Sequence, residues 1–193
     1  QGPSTFLSST FPLSSKPIQL RHLSLLGEED LILPPELILQ GNMVQAGQGQ
    51  FQIASTHLRL SGSENQELRT SSLLLESLTL AKSSGTVTLG SDLSLSKNLT
   101  MVQGSIDFQG FNLTLNTSST GTYNYQGGNW KRLGNLTYFG LPATLTTSSS
   151  TFPFEDLANG GHRWLQLLGT PPAGGKLSVE FIEEPGANHD ANF

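Results

Sequence analysis

Three interleaved series of apolar-x-apolar pairs, each recurring about every 20 residues, constrain this chain more than any other feature. One series starts at Leu37, Leu58, Leu78 and Leu99, with steps of 21, 20 and 21. A second starts at Phe51, Leu73, Leu93 and Leu113, with steps of 22, 20 and 20. A third, looser one runs Val44, Leu68, Val87 and Ile106. In an extended strand alternate side chains point to opposite faces, so each pair marks a short strand with one buried face. Gly, Ser, Asn and Asp fill the gaps and supply turns. Self-similarity at a period of 20–50 residues is the signature of a solenoid or array.

Three strands and three turns per repeat build one coil of a parallel β-helix. Equivalent strands then stack about 4.8 Å apart, with Leu and Val columns inside and Ser, Thr, Lys and Asn outside. An antiparallel sandwich also has short strands and frequent turns, but needs no three-phase period. The expectation is therefore an all-β chain: a parallel, right-handed β-helix of about five coils over residues 18–117. Residues 1–17, rich in Ser and Pro with Phe6 and Phe11, read as an N-terminal arm or a cap over the first coil. After Thr117 the period fails. Strand-like runs at Leu136–Phe139, Ala143–Thr147, Arg163–Leu168 and Lys176–Ile182 read as a small antiparallel β-sheet or sandwich module over 118–193. The only stretch suggesting a helical turn is Gly27-Glu28-Glu29-Asp30.

Composition narrows the function. Charged residues make up 13% of the chain and the formal net charge is -5, against about 25% charged residues in an ordinary globular protein. A nucleic-acid surface needs clustered Lys and Arg, which are missing. With no Cys there is neither a disulfide framework nor a Cys-based zinc site. No run approaches the about 20 apolar residues of a membrane-spanning helix.

Candidate chemistry is sparse. His22, His57, His162 and His189 form no HxH or HExxH spacing, so neither metal nor cofactor is expected. Glu64, Glu67, Glu76, Asp92 and Asp107 are thinly spread, which argues against an acid-pair active site. The densest polar cluster is Glu155, Asp156, Asn159, His162 and Arg163 around Gly160-Gly161. It reads as a turn with an acid–Arg163 pair, or as a ligand contact. The aromatics Tyr123, Tyr125, Trp130 and Tyr138 either fill a core or offer rings to a sugar. Contact with a ligand or partner, if present, is assigned to Tyr123, Tyr125, Trp130, Glu155, Asp156, His162 and Arg163. Asn98, Asn112, Asn116 and Asn135 head Asn-x-Ser/Thr triplets and read as turn residues rather than glycan acceptors.

The stretches Leu78-Thr-Leu-Ala-Lys-Ser-Ser-Gly-Thr-Val-Thr-Leu and Leu93-Ser-Leu-Ser-Lys-Asn-Leu-Thr-Met-Val-Gln-Gly-Ser-Ile-Asp, ending in Asn112-Leu-Thr-Leu, resemble a repeat of large secreted proteins of Bacteroidetes. Thr151-Phe-Pro-Phe with Gly160-Gly-His-Arg-Trp-Leu-Gln-Leu resembles, in part, the sheet module that follows it there. The resemblance implies an adhesin-like, non-catalytic protein at the outer-membrane exterior, associated with type IX secretion. Its partner would be an envelope protein, the remainder of a longer chain, or a glycan. A carbohydrate-binding module or polysaccharide-active β-helix enzyme is the alternative. Gln1 reads as a mature terminus after signal-peptide removal, with a protease-site remnant as the other reading. The closing Gly186–Phe193 stretch does not resemble a sorting domain. The chain is thus expected to belong to a longer protein or to reach the surface by another route.

Overall fold

The computed structural model describes residues 16–118, 120–156 and 161–182. The expected arm or cap over the first coil falls almost wholly on residues 1–15, outside the described residues.

The chain is a β-solenoid of about six turns, built mostly from parallel strands. Its first face stacks β1 (Ile18–Leu20), β4 (Glu36–Leu39), β7 (His57–Gly62), residues 77–82 of β9 (Leu73–Leu89), residues 98–103 of β10 (Leu93–Asp107), and β12 (Thr122–Tyr125). The second face stacks β2 (Leu23–Leu25), β5 (Met43–Gln45), β8 (Gln66–Arg69), the last residues of β9 and β10, β13 (Asn129–Lys131) and β15 (Thr151–Asp156). The third face holds β3 (Leu31–Ile32) paired with β6 (Phe51–Gln52) as a separate two-stranded sheet. Above them lie the first residues of β9 and β10, then β11 (Leu113–Asn116) and β14 (Asn135–Leu141).

Register explains the period. Leu37, Leu58, Leu78 and Leu99 are successive rungs of one column, as are Leu73, Leu93 and Leu113 of another. All seven are buried, so each coil covers the apolar rung of the one below. The third series needs a correction. Met43, not Val44, is the buried residue that stacks under Leu68. Met43 and Val44 are both apolar, so alternation alone could not say which points inward.

The corners are held by side chains reaching one coil along the axis. Asp30 Oδ1 accepts from Gln50 N at 2.8 Å, and Asp92 Oδ1 accepts from Asn112 N at 2.8 Å. Asn112 Oδ1 in turn accepts from Asn135 N at 3.0 Å, and Asn98 Oδ1 from Thr122 N at 2.9 Å. Turn amides that cannot join a strand ladder are satisfied in this way.

The stacking does not end at Thr117, where the boundary to an antiparallel module was expected. Tyr123 sits on Leu99, Trp130 on Ile106, and Tyr138 on Leu115, all in parallel register. Phe154 adds one further parallel rung on Trp130. Two changes hide this coil from the period. Three of its inward residues, Tyr123, Trp130 and Tyr138, are aromatic, and its repeat lengthens to 24 residues between Asn98 and Thr122 and to 23 between Asn112 and Asn135. The antiparallel expectation holds only for the end strands. β16 (Gly161–Gln166) runs antiparallel to β15, and β17 (Gly175–Glu180) antiparallel to β14.

Two local expectations also change. Gly27–Glu29 is a bend, while the helix found among the described residues is α1 (Thr147–Ser150). Residues 143–147 are not a strand: Thr146 accepts from Ser149 N and Ser149 Oγ accepts from Thr146 N, a reciprocal capping box. Short Ser and Thr side chains outcompete the ladder here.

Candidate functional site

The second face carries the densest set of polar side chains near its C-terminal end. Ile106, Trp130 and Phe154 point inward on successive rungs, so their neighbours in β10, β13 and β15 point out. Ser105 lies beside Asn129, and Asp107 beside Lys131. Glu155 faces His162 across the antiparallel pair.

These groups form two bonded sets along the solenoid axis, one around Glu155 and one around Asp107. Ser105 Oγ donates to Asn129 Oδ1, and Asn129 Nδ2 donates to Glu155 Oε2. Lys131 Nζ meets Glu155 Oε1 at 3.1 Å. Asp107 takes both arms of Arg132: Nε donates to Oδ1 at 2.9 Å and Nη2 to Oδ2. Gln109 adds its backbone N–H to Oδ1 at 3.2 Å and Nε2 to Oδ2 at 2.9 Å. Burial pushes the Asp107 carboxyl up, but the Arg132 and Gln109 bonds outweigh it and hold the group below its usual 3.8. Asp107 therefore stays ionised. Both carboxylates brace adjacent coils.

The sequence-predicted contact residues separate into two groups. Tyr123 and Trp130 are 3% and 1% exposed and form the centre of an aromatic core, so as ligand contacts they are corrected to packing residues. Tyr123 stacks on Phe152 at 5.4 Å between centroids and donates from its hydroxyl to Thr151 O at 2.7 Å. Burial raises its phenol well above 10.0. Tyr125 is half-buried and donates to Gly128 O at 3.0 Å. Glu155 faces His162 across the β15–β16 pair, Arg163 lies opposite Phe154 on the other side of that sheet, and Asp156 lies opposite Gly161. Asn159 and His189 lie outside the described residues.

Two features went unassigned in the sequence. Trp164 is 65% exposed and its ring lies 5.9 Å from that of His162, 18° from parallel. Alternation along β16 carried the signal: with Leu165 packed against the core, His162, Trp164 and Gln166 share the other face. The second is Lys82, a fully buried lysine. Its Nζ donates to Glu64 O at 2.6 Å and to Gln66 Oε1 at 2.9 Å, while Gln66 Nε2 donates to Leu39 O and Gly41 O. Burial lowers the Lys82 ammonium from 10.5, and the Glu64 charge opposes part of that fall. Leu78, Leu80 and Lys82 are in phase, so the alternation already placed Lys82 inside.

A shallow depression of about 310 Å³ on the first face is lined by Glu36, His57 and Arg59 among others. His57 Nε2 lies 2.9 Å from Thr79 Oγ1. The depression offers a single carboxylate. Among the described residues no group of three or more His, Cys, Asp or Glu could hold a metal ion, and no helix is long and apolar enough to cross a membrane. No family model matches the chain, and no curated protein or solved structure matches it either.

Proposed function

We propose that the chain is a non-catalytic structural or adhesive protein of the bacterial envelope, secreted or held at the outer-membrane exterior. It presents a stiff β-solenoid to an envelope protein, to the rest of a longer chain, or to a glycan. The observation that carries this reading is the use of its charges. Glu76 pairs with Lys97 at 3.0 Å, Glu155 with Lys131 at 3.1 Å, and Asp107 with Arg132, each between successive coils. Carboxylates spent on tying rungs together stiffen a rod and leave few acids to converge on a substrate. The assignment to Bacteroidetes and to type IX export rests on the repeat resemblance alone.

The test is a pull-down from Bacteroidetes envelope fractions with the 193-residue chain as bait, alongside release of reducing ends from a polysaccharide panel. A defined envelope protein with no turnover supports the reading. Turnover that Glu155→Gln abolishes overturns it. The exposed Trp164 ring, near-parallel to that of His162, favours one second reading, a carbohydrate-binding module, because exposed rings stack on sugar faces. Glycan-array binding lost in Trp164→Ala would select that reading.

A further inference from the structure

We infer that the C-terminal end of the solenoid is an interface with a second copy of this chain, formed by antiparallel pairing of β17 with its own symmetry mate. The inference is independent of the proposed function.

β17 is the terminal strand of its sheet. It pairs with β14, and no described strand pairs with its other edge. A strand edge carries a row of unpaired N–H and C=O groups and is a template for another strand. Its side chains alternate: Leu177 and Val179 pack against the core but stay half-exposed, while Lys176, Ser178 and Glu180 are exposed. The rung therefore covers the end of the core incompletely.

The sequence of β17 selects the occupant. In an antiparallel pair of identical strands centred on Ser178, residue 176 faces residue 180 of the mate, 177 faces 179, and Ser178 faces itself. Lys176 then lies opposite Glu180 twice, and Leu177 opposite Val179 twice. Every charge meets its opposite and every apolar side chain an apolar one. Shifting the centre to Leu177 or Val179 loses the Lys–Glu match. A two-fold axis is also the commonest symmetry of protein dimers, and its interface must be self-complementary. Centring on a residue keeps the apolar sides of both strands on one face, so the two cores join end to end. Directly opposed unlike charges stabilise an antiparallel pair and like charges destabilise it.

The charge match gives a closed test on the full chain, by sedimentation equilibrium against the 20.7 kDa chain mass, with far-UV circular dichroism to confirm folding. The parent is expected to dimerise. Lys176→Glu and Glu180→Lys each place like charges opposite each other twice and should weaken self-association about tenfold or more. An equimolar mixture of the two variants restores both Lys–Glu pairs and should re-form the dimer, as should the double variant K176E/E180K alone. If Lys176→Glu fails to fold because it also loses its place over the Phe139 ring, 5.1 Å away, Glu180→Lys and the double variant carry the test. A monomeric parent, a dimer untouched by the single variants, or single-variant losses that neither the mixture nor the double variant rescues would each overturn the inference.

Discussion

Replacing Trp130 with Ala should cost about 3 kcal/mol, and replacing it with Phe should cost about 1 kcal/mol or less. The indole is 1% exposed and is ringed by Phe108, Tyr123, Phe152 and Phe154 at centroid distances of 5.9–6.3 Å. Truncating a buried Trp to Ala costs about 3–5 kcal/mol, because the transfer energy is lost and a cavity remains. One term works the other way. The indole Nε1–H has no hydrogen-bond partner among the described residues, and an unmet buried donor costs about 1–3 kcal/mol. Both variants remove that donor, which places Ala at the low end of the range. Phe keeps a ring against its four neighbours and loses only part of the volume. Urea unfolding followed by far-UV circular dichroism is the assay. The chain has two Trp residues, so fluorescence would report only Trp164 once Trp130 is gone. In a solenoid each coil rests on its neighbours, so the loss falls on the last coil. Trp130→Ala should therefore show an early transition ahead of the main one. A cost under about 0.5 kcal/mol for Ala, or equal costs for Ala and Phe, would refute the packing argument.

Three further perturbations have worked signs. Asp107→Asn should lose about 1–2 kcal/mol at neutral pH, discounted for the half-exposed Arg132 partner. Because the folded carboxyl sits below 3.8, that contribution is complete above about pH 4 and fades as pH falls through the folded value. Parent and variant should converge in acid, and a gap independent of pH would contradict the assignment. Gln66→Leu removes one of the two acceptors of the Lys82 ammonium and leaves two backbone carbonyls without their donor, and should cost about 1–3 kcal/mol. Adding Lys82→Met should recover part of it, which a double-mutant cycle in urea reads directly. With its folded value lowered, the Lys82 penalty is present at neutral pH and eases as pH rises toward 10.5. The parent should therefore gain on Lys82→Met in alkali. Gly121→Ala would bring a Cβ within 1.9 Å of Lys97 O, so the backbone itself must move. Its thermal midpoint should fall well below that of Gly110→Ala, which has open space and only a left-handed φ of 89° to penalise it, about 1–2 kcal/mol.

How far the sequence reveals this molecule depends on the kind of residue that fills the columns. Leu rungs are periodic and strictly alternating, so the solenoid is visible in Leu37, Leu58, Leu78 and Leu99. The last coil is built on Tyr123, Trp130 and Tyr138 with a longer repeat, and reads as a different module. Aromatic side chains supply the inward bulk of this longer coil, so it lacks the Leu signature of the others. Lys82 is in phase with Leu80, yet its polarity suggests a surface position, and the Glu64 carbonyl and the Gln66 amide together make its burial tolerable. The network of Ser105, Asn129, Lys131 and Glu155 joins residues 24 and 26 apart, and it exists only once the register of three coils is known. Trp164 was within reach, because strict alternation from Leu165 puts it outside.

Interstrand NOEs between amide and α protons at residues 98–101 and 122–125 test the continuity of the solenoid most directly. In-register parallel stacking places Leu99 beside Tyr123 and Met101 beside Tyr125, about 4.8 Å apart. Cross-peaks linking Leu99, Thr100 and Met101 to Tyr123, Asn124 and Tyr125 in that order are expected. A set of NOEs that joins 122–125 only to residues beyond 130, with none to β10, would make the aromatic region a separate module and contradict the six-turn solenoid.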